Sequence, residues 1–424
     1  MARFTAFRRT ENNQTGQHRL AGFARQPQLL VFSIIATVSL LFLNDPLWHD
    51  LRLSHLLVVV LILCAGLKLW RQPGLRPEPM LLVLAALLLL ATGLHIGLGR
   101  VTFSGMLSDA VKLGLLLLGT IALRILPVRY SMNFIQIFAL LVPITLIWNY
   151  FFGNWAYYDS VRMRFGLESL GSPNSTAYVL SFSAIILAWM YENRKAGISG
   201  ALLQISIACV VIAVVLTQSR GGAIILLVGL LALYGLNPKS LARMVFYAAL
   251  GVVLLSVGPL GEGSGAGAGA GAGAGVATHE KLSRYNLVTE IPLTGGSGRL
   301  GIWFTLLRET LSDPASIIFG KGLGTIHLYQ AESDKIMNSA HSLLISLTHW
   351  YGLLGVIVFA KILQMLIVSA VKSEDSLSRC LCMMLAVSFL LDGYFLDANT
   401  ILINIFILCI ALTNYPRRTN SDLD

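Results

Sequence analysis

Three short polar motifs stand out in a chain that is otherwise mostly apolar. They place Gln218 and Arg220 in Thr-Gln-Ser-Arg-Gly-Gly at 217–222, Arg299 in Gly-Arg-Leu-Gly-Ile-Trp at 298–303, and His341 in Asn-Ser-Ala-His at 338–341. A guanidinium group can bind two phosphate oxygens at once, and an imidazole can accept a proton near neutral pH. The three motifs together predict a site that handles a phosphorylated substrate with a base close by.

The composition of the 424-residue chain is that of a membrane protein. Its residues are 55% hydrophobic and only 12% charged, whereas a soluble domain carries about 25% charged residues. The net charge of +10 would suggest a nucleic-acid partner for a soluble protein. Here the positive residues follow the loops and indicate topology instead, so we expect a polytopic membrane protein with no nucleic-acid partner.

Apolar segments predict an all-α protein with about twelve transmembrane helices, since a spanning helix needs about 20 apolar residues. The candidate spans are Pro27–Leu43, Leu51–Leu69, Pro79–Leu98, Gly105–Ile125, Ser131–Tyr150, Pro173–Tyr191, Gly200–Leu216, Gly221–Leu236, Leu241–Val257, Ser342–Val371, Leu377–Leu391 and Asn399–Leu412. The tenth is the longest, and we expect it to tilt or to project from the bilayer.

The placement of basic residues orients these spans. One set of segments, which includes both termini, is basic in every case, whereas the short loops of the other set carry few arginines and no lysine. The positive-inside rule puts the basic set, and with it both termini, in the cytoplasm. The loops 151–172, 217–222 and 259–340 then lie outside, and all three polar motifs lie there with them.

The predicted organisation follows from these spans. It comprises a cytoplasmic tail at 1–26, transmembrane helices one to nine at 27–258, a large outer loop at 259–340, helices ten to twelve at 341–415, and a cytoplasmic tail at 416–424. The outer loop opens with a strict Gly-Ala alternation at 265–275. Such a run has nothing to pack and is typical of a linker, either native or engineered.

The rest of the outer loop is predicted to be mostly helical. Helical spacing places Leu300, Phe304, Leu307 and Leu311 on one face, and Asp313-Pro314 ends that helix. The glycine-rich segment 320–324 is predicted to be a turn.

Arg220 and Arg299 are the strongest candidates for binding an anion. Arg220 lies next to hydrocarbon, where an arginine has a partner, a role in a pathway, or a side chain that snorkels to the headgroups. Gln218 beside it adds hydrogen-bonding capacity. Arg299 follows a run of glycines at the start of the outer helix, where backbone N–H groups attract anions. Its alternative interpretation is an ordinary surface arginine.

His341 is the candidate base, and a structural interfacial histidine is the alternative. His349, about two helical turns further along, is predicted to be packed or hydrogen-bonded. Glu332 and Asp334 form the one acidic pair near His341, and a solvated loop pair is the favoured interpretation, so no metal site is predicted.

Three further arginines are weaker candidates for the site. Arg284 lies in the outer loop, and Arg162 and Arg164 lie in the aromatic-rich loop 151–172. The aromatic residues of that loop fit an interfacial belt, and a sugar-stacking surface is the alternative. Ser172 is predicted to cap the helix that follows the loop.

The motifs, taken in order, resemble segments of the O-antigen ligase and polymerase superfamily. Residues 217–221 resemble its Ser-Arg-Gly segment, residues 298–303 and 319–324 its segment in the large periplasmic loop, and residues 340–342 and 350–355 its histidine segment. Residues 164–166 through 173–174 resemble its earlier loop. The resemblance covers about residues 150–395. An asparagine often follows the family's histidine, and Ser342 stands there in this chain.

The resemblance implies a glycosyltransferase of the GT-C type in the bacterial inner membrane, active on its periplasmic face. Such enzymes take a glycan from undecaprenyl pyrophosphate, and the ligase branch transfers it to a sugar hydroxyl of lipid A–core during lipopolysaccharide biosynthesis. Arg220, Arg299 and Gln218 would bind the pyrophosphate, and His341 would take the proton from the acceptor hydroxyl. The anomeric centre would be inverted, and no metal, nucleotide or other cofactor is expected.

Other functions remain open from the sequence. A polymerase of the same superfamily would extend another lipid-linked repeat unit, and a protein O-oligosaccharyltransferase would glycosylate a protein. The compact outer segment favours the ligase. A lipid or glycan transporter would need ionisable residues at mid-membrane. Only Lys112 and Lys361 come near that position, and the sequence shows no obvious acidic partner for them.

Overall fold

The computed structural model of the chain is built from α-helices, with two short antiparallel hairpins. It describes residues 27–41, 46–48, 51–72, 79–99, 103–152, 165–170, 172–193, 198–235, 295–326, 328–330, 335–337, 340–391, 397 and 399–414. The Gly-Ala run, the predicted ninth span Leu241–Val257 and both tails lie outside these residues.

Thirteen α-helices lie within the described ranges. They are α1 Pro27–Leu41, α2 Leu53–Arg71, α3 Pro79–Gly97, α4 Phe103–Ile125, α5 Val128–Phe152, α6 Pro173–Glu192, α7 Gly200–Leu216, α8 Arg220–Tyr234, α9 Gly295–Leu311, α10 Pro314–Phe319, α11 Leu343–Lys372, α12 Ser376–Leu391 and α13 Ile401–Ala411. The hairpins pair β1 Pro46–Trp48 with β2 Leu51–Arg52, and β3 Leu328–Gln330 with β4 Lys335–Met337.

Membrane-spanning character is supported by the length and composition of the helices. Among the described residues, four helices are long and apolar enough to cross a membrane: Leu53–Arg71, Pro79–Gly97, Val128–Asn149 and Leu343–Lys372. Shorter apolar helices include α7, α8, α12 and α13. Large apolar side chains point outward from the bundle, with Leu89 and Leu90 of α3 exposed by 70% and 73%. Such a surface needs lipid around it.

Helices α6 and α13 form the centre of the bundle. Almost every residue of α6 is buried, and so is every residue of α13. Helix α8 runs parallel to α6, because Gly222 lies against Ala177 and Gly229 lies against Ile185. This register puts the start of α8 at the same level as the start of α6, which is the arrangement that positions the candidate site.

The interpretation that the two lysines near mid-membrane have no acidic partner is wrong for Lys112. Lys112 does have an acidic partner, because its ammonium nitrogen lies 3.7 Å from a carboxylate oxygen of Asp109. The two residues are three apart in α4, so they lie on one face of the helix. The ammonium group of Lys361 donates to the side-chain carbonyl of Gln364 at 2.7 Å. Neither pair joins two helices.

Helix α11 bends sharply at Gly352 and does not continue as one long rod. Gly352 has φ +58° and ψ −136°, outside the helical region. The bend brings the carbonyl of Leu347 against Gly355, although residues eight apart in a straight helix are about 12 Å apart. The tenth predicted span is therefore made of two helical parts, and its tilt or projection from the bilayer stays a prediction. The two parts are a nine-residue first part, Leu343–Tyr351, and a second part that is about 30 Å long, enough to cross a bilayer.

The tight contact between α6 and α8 gives a test of the packing. A Cβ added at Gly222 would lie 2.5 Å from the Cβ of Ala177, and within 3.3 Å of its backbone. We expect Gly222→Ala to lower the free energy of unfolding by about 1–3 kcal/mol, because two helices must move apart. Gly93→Ala is the matched control, since nothing lies within 4 Å of its new methyl group. Thermal unfolding in detergent measures both variants, and equal midpoints would contradict the packing.

Candidate functional site

The turn between α7 and α8 carries the first polar motif and is almost fully buried. Thr217, Gln218 and Ser219 are exposed by 2% or less. The Thr217 hydroxyl donates to the carbonyl of Val214 at 2.6 Å and accepts from the N–H of Ser219. Ser219 caps α8 by accepting from the N–H of Gly222. The turn is thus held rigidly by its own side chains.

Gln218 sits at the apex of this turn in a strained conformation. Its φ is +53°, a left-handed value that costs a residue with a Cβ about 1–2 kcal/mol. Among the described residues, the only other non-glycine with a positive φ is His341, at +52°. Such strain concentrates at functional sites. Both residues are also candidate site residues because of the chemistry of their side chains.

Arg220 is the first helical residue of α8 and is partly exposed. The first N–H groups of a helix have no partner within it, and the helix dipole adds partial positive charge there. The guanidinium charge of Arg220 therefore adds to the partial positive charge at the start of α8, a helix of fifteen residues. This combination attracts an anion such as phosphate.

His341 lies in a second tight turn, at the start of α11. The residues on either side of it, Ala340 and Ser342, are buried, while His341 itself is partly exposed. Ser342 caps α11 with its side chain, which accepts from the N–H of Ile345. His341 is thus carried by a fixed backbone and keeps part of its surface exposed, which is compatible with contact to a substrate.

Trp303 joins the outer helix to the turn that carries His341. Its indole N–H donates to the carbonyl of Ala340 at 2.8 Å. Arg299 lies one turn before Trp303 in the same helix, α9. Two of the three motifs are therefore connected by a hydrogen bond. The prediction that Arg299 lies at the helix start is wrong, because α9 already begins at Gly295 and includes the glycine run. The side chain of Arg299 lies outside the described residues.

His349 is packed and hydrogen-bonded, as predicted. It is 1% exposed, and its Nδ1 lies 3.2 Å from the hydroxyl of Thr310 and 3.4 Å from the carbonyl of Leu306. Both partners belong to α9. This histidine therefore fastens the outer helix to the first part of α11.

The bend in α11 forms the second attachment of the outer helices. The carbonyls of His349 and Trp350, which the bend frees from the helix, accept from the N–H groups of Lys321 and Gly322 at 2.8 and 2.9 Å. Gly320 packs directly against the backbone of Trp350. Residues 320–324 form the predicted turn, with positive φ at three glycines.

The outer helix α9 does not bury its predicted apolar face. Phe304 and Leu311 are exposed by 70% and 63%, while Leu306 and Thr310 are buried. Two hydrogen bonds instead determine which face of α9 meets α11. One joins Trp303 to the Ala340 carbonyl, and the other joins Thr310 to His349. Helical spacing identifies an apolar face of α9, but it cannot show that a different face packs against α11.

An apolar groove begins beside the His341 turn. It lies between α3, α4, α11 and α13 and is narrow. Leu343 and Leu347 line it near the turn, and Val358 and Met365 line it further along α11. Thr120 is the one lining residue with a polar side chain. A groove of this kind suits a hydrocarbon chain whose polar end lies near His341.

A polar cluster that the sequence did not predict lies at the starts of α6 and α13. The hydroxyl of Ser175 donates to Asp397 at 2.7 Å and lies 2.8 Å from the hydroxyl of Ser172. Asp397 also accepts from the N–H of Asn399 at 3.0 Å. Ala177 of α6 lies against Gly222 of α8. Ser175 and Arg220 come two residues before these contact residues in their parallel helices, so they lie at about the same level along the bundle. Asp397 lies between the last two predicted spans and belongs to none of the three polar motifs, so no sequence pattern marked it.

The predicted cap of α6 is confirmed, because the side chain of Ser172 accepts from the N–H of Ser175. The chain before it, Phe165–Leu170, meets the end of α7 just before the first motif, where the N–H of Phe165 donates to the carbonyl of Leu216. The weaker candidates Arg162, Arg164 and Arg284, and the acidic pair Glu332 and Asp334, lie outside the described residues.

The link between Trp303 and Ala340 can be tested by Trp303→Phe, which keeps most of the ring and removes the donor. One hydrogen bond contributes about 1 kcal/mol, so, with His341 as the base of a reaction, we expect the rate of that reaction to fall by about fivefold to tenfold. The midpoint of thermal unfolding should change little. Trp70→Phe is the control, because that side chain is 82% exposed. Equal turnover in both variants would show that the link does not position His341.

Comparison of the chain with protein-family models gives no match, and comparison with curated proteins gives no significant match.

Proposed function

We propose that the chain is an inverting, metal-independent glycosyltransferase that acts as an O-antigen ligase. It would move O-antigen polysaccharide from undecaprenyl pyrophosphate to a sugar hydroxyl of lipid A–core, at the periplasmic face of the bacterial inner membrane. The proposal includes a GT-C-type bundle of about twelve spans with both termini in the cytoplasm. The observation that carries it is the Trp303–Ala340 hydrogen bond, which connects the helix of Arg299 to the turn of His341.

Donor binding follows from charge and from the apolar groove. The start of α8 offers the Arg220 guanidinium at the positive end of the helix dipole, which suits a pyrophosphate. Gln218 lies in the buried turn just before α8 and helps to fix the position of the first residues of that helix. Arg299 adds a second guanidinium in this proposal. The groove that begins at Leu343 has the apolar lining that a polyprenyl chain needs.

The transfer step is a single displacement. The acceptor sugar's hydroxyl oxygen forms a bond to the anomeric carbon as the bond from that carbon to the pyrophosphate oxygen breaks. His341 takes the hydroxyl proton, and undecaprenyl pyrophosphate leaves with the bonding electron pair. The arginines stabilise the charge that develops on the leaving oxygen. Attack from the face opposite to the leaving group inverts the anomeric centre.

The polar cluster around Asp397 supports an acceptor made of sugar. Its carboxylate is only partly buried, and an ionised carboxylate has about four positions for accepting hydrogen bonds. Two of these are occupied by Ser175 and the Asn399 N–H. Within the described part of the chain no further side chain is seen on the other positions, which can accept from sugar hydroxyls at the level of Arg220.

The experiment that tests the function uses purified protein in detergent with a chelator and without nucleotide. Undecaprenyl-pyrophosphate-linked glycan is supplied with lipid A–core, with more lipid-linked glycan, or with an acceptor protein. We expect product on lipid A–core alone. A ladder of lengthened lipid-linked glycan would make the protein a polymerase, and a glycosylated protein would make it a protein O-oligosaccharyltransferase. No transfer to any acceptor would overturn the proposal and favour transport.

A further inference from the structure

The outer helix α9 has three distinct sectors around its circumference. Trp303, Leu306 and Thr310 face α11, and Leu306 and Thr310 are buried there. The apolar pair Phe304 and Leu311 lies on an exposed sector, with the two residues about 20° apart on a helix of 3.6 residues per turn.

The third sector of α9 is exposed and polar. Thr305 and Glu309 lie on it, about 100° and 140° further round than Phe304. Arg308 is exposed between the two sectors. A helix that lies in a membrane interface has this division, with apolar side chains facing the acyl chains, a polar sector facing water, and basic residues at the boundary.

The short helix α10 continues the exposed apolar sector. Its last three residues, Ile317, Ile318 and Phe319, are exposed by 41%, 52% and 41%. Lys321 follows them within two residues and is partly exposed. Apolar residues followed at once by a cation again match the order from acyl chain to headgroup.

Two membrane-spanning helices fix the position of α10 against the bilayer. His95, near the end of α3, lies with its Nε2 2.7 Å from the carbonyl of Phe319. Its neighbours Leu94 and Ile96 are each 40% exposed. The lipid-facing surface of α3 therefore meets the exposed end of α10.

The second contact is with the spanning part of α11. A Cβ at Gly352 would lie 2.5 Å from the carbonyl oxygen of Ile317 and 2.7 Å from the carbonyl carbon of Ile318. The next residue, Leu353, is 54% exposed and begins the lipid-facing surface of that span. The apolar surface of α10 is thus continuous with that of two spans, one on each side of it.

We propose that α9 and α10 lie in the membrane interface, with the sector of Phe304, Leu311 and Ile318 inserted among the acyl chains of one leaflet. The occupant of this surface is lipid, because the surface continues the lipid-facing sides of α3 and α11. The helix that carries Arg299 is then held at the depth of lipid phosphates. The inference does not depend on the glycosyltransferase proposal, since it rests on exposure and packing alone.

The test is the accessibility of nitroxide labels in proteoliposomes of phosphatidylethanolamine and phosphatidylglycerol. The background carries Cys64→Ser and Cys209→Ala, which remove the cysteines that are not buried among the described residues. Labels are placed by Phe304→Cys and Ile318→Cys on the apolar sector. Thr305→Cys and Glu309→Cys label the polar sector of the same helix, and Leu90→Cys is the lipid-facing reference.

We expect the labels at 304 and 318 to collide more with oxygen than with a water-soluble nickel chelate, as the label at 90 does. The labels at 305 and 309 should show the reverse. Nickel-accessible labels at 304 and 318 would place the helices in water and overturn the proposal. Labels at 304 and 318 that neither reagent reaches would also overturn it, because another part of the chain or a second copy would then cover the surface. Labelled proteins are compared only when they keep the unfolding midpoint of the background.

Discussion

Replacement of His341 by alanine is expected to lower the rate of glycan transfer by about 10²–10⁴-fold, the contribution typical of a general base. The imidazole is carried on a fixed turn and is partly exposed. Donor binding should change little, because the arginines and the groove remain. The measurement is single-turnover transfer in detergent, together with donor binding to the same protein.

The backbone of His341 provides the control for this variant. Its φ of +52° disfavours alanine, so His341→Ala changes both the imidazole and the strain. Asparagine tolerates this conformation and glycine adopts it freely. His341→Asn and His341→Gly should therefore be as inactive as His341→Ala. If either keeps near-normal transfer, the residue serves the turn and the assignment as a base is wrong.

Replacement of Gly352 by alanine is expected to lower the free energy of unfolding more than Gly222→Ala does. Its φ of +58° and ψ of −136° suit glycine alone. The added Cβ would also lie 2.5 Å from the Ile317 carbonyl oxygen and 2.7 Å from the Gly320 nitrogen. Conformational strain and overlap together should cost about 3 kcal/mol or more. The outer helices would separate from α11 as the bend opens.

Thermal unfolding and limited proteolysis between residues 295 and 326 measure this effect. Gly301→Ala is the matched control, because nothing lies within 4 Å of its new methyl group and alanine favours a helix. We expect rapid cleavage in Gly352→Ala and slow cleavage in Gly301→Ala and the parent protein. The same midpoint and cleavage rate in all three would contradict the proposed attachment at the bend.

Local sequence signals predicted the helices well. The bounds of the seventh span, Gly200–Leu216, agree with α7, and those of the third, Pro79–Leu98, differ from α3 by one residue. Apolar length and capping residues act locally, so they can be read along the chain. Ser172 is one such residue, and its predicted cap is confirmed.

Features that depend on long-range contacts could not be predicted. A single glycine in an apolar run looks like Gly93, which sits in an ordinary helix, so Gly352 gave no sign of the bend. The buried face of α9 is set by hydrogen bonds to Ala340 and His349, about 40 residues away. Asp397 acquires its place only when α13 packs beside α6.

Gln218 and His341 were predicted as site residues from the chemistry of their side chains. The structure shows in addition that both have a strained, left-handed backbone conformation. Their common depth with Arg299 remains a prediction from charge placement. The hydrogen bond from Trp303 supports it for two of the three motifs.

We propose that the three motifs form one site for a pyrophosphate-linked lipid. Measurement of donor binding tests this most directly. Affinity is measured for undecaprenyl-pyrophosphate glycan and for undecaprenyl monophosphate, with the parent protein, Arg220→Met and Arg299→Met. We expect the parent to prefer the pyrophosphate donor and each variant to lose about tenfold or more of that affinity, as the loss of a charge-assisted contact implies. Equal affinity for both lipids, or affinity unchanged in both variants, would contradict the account.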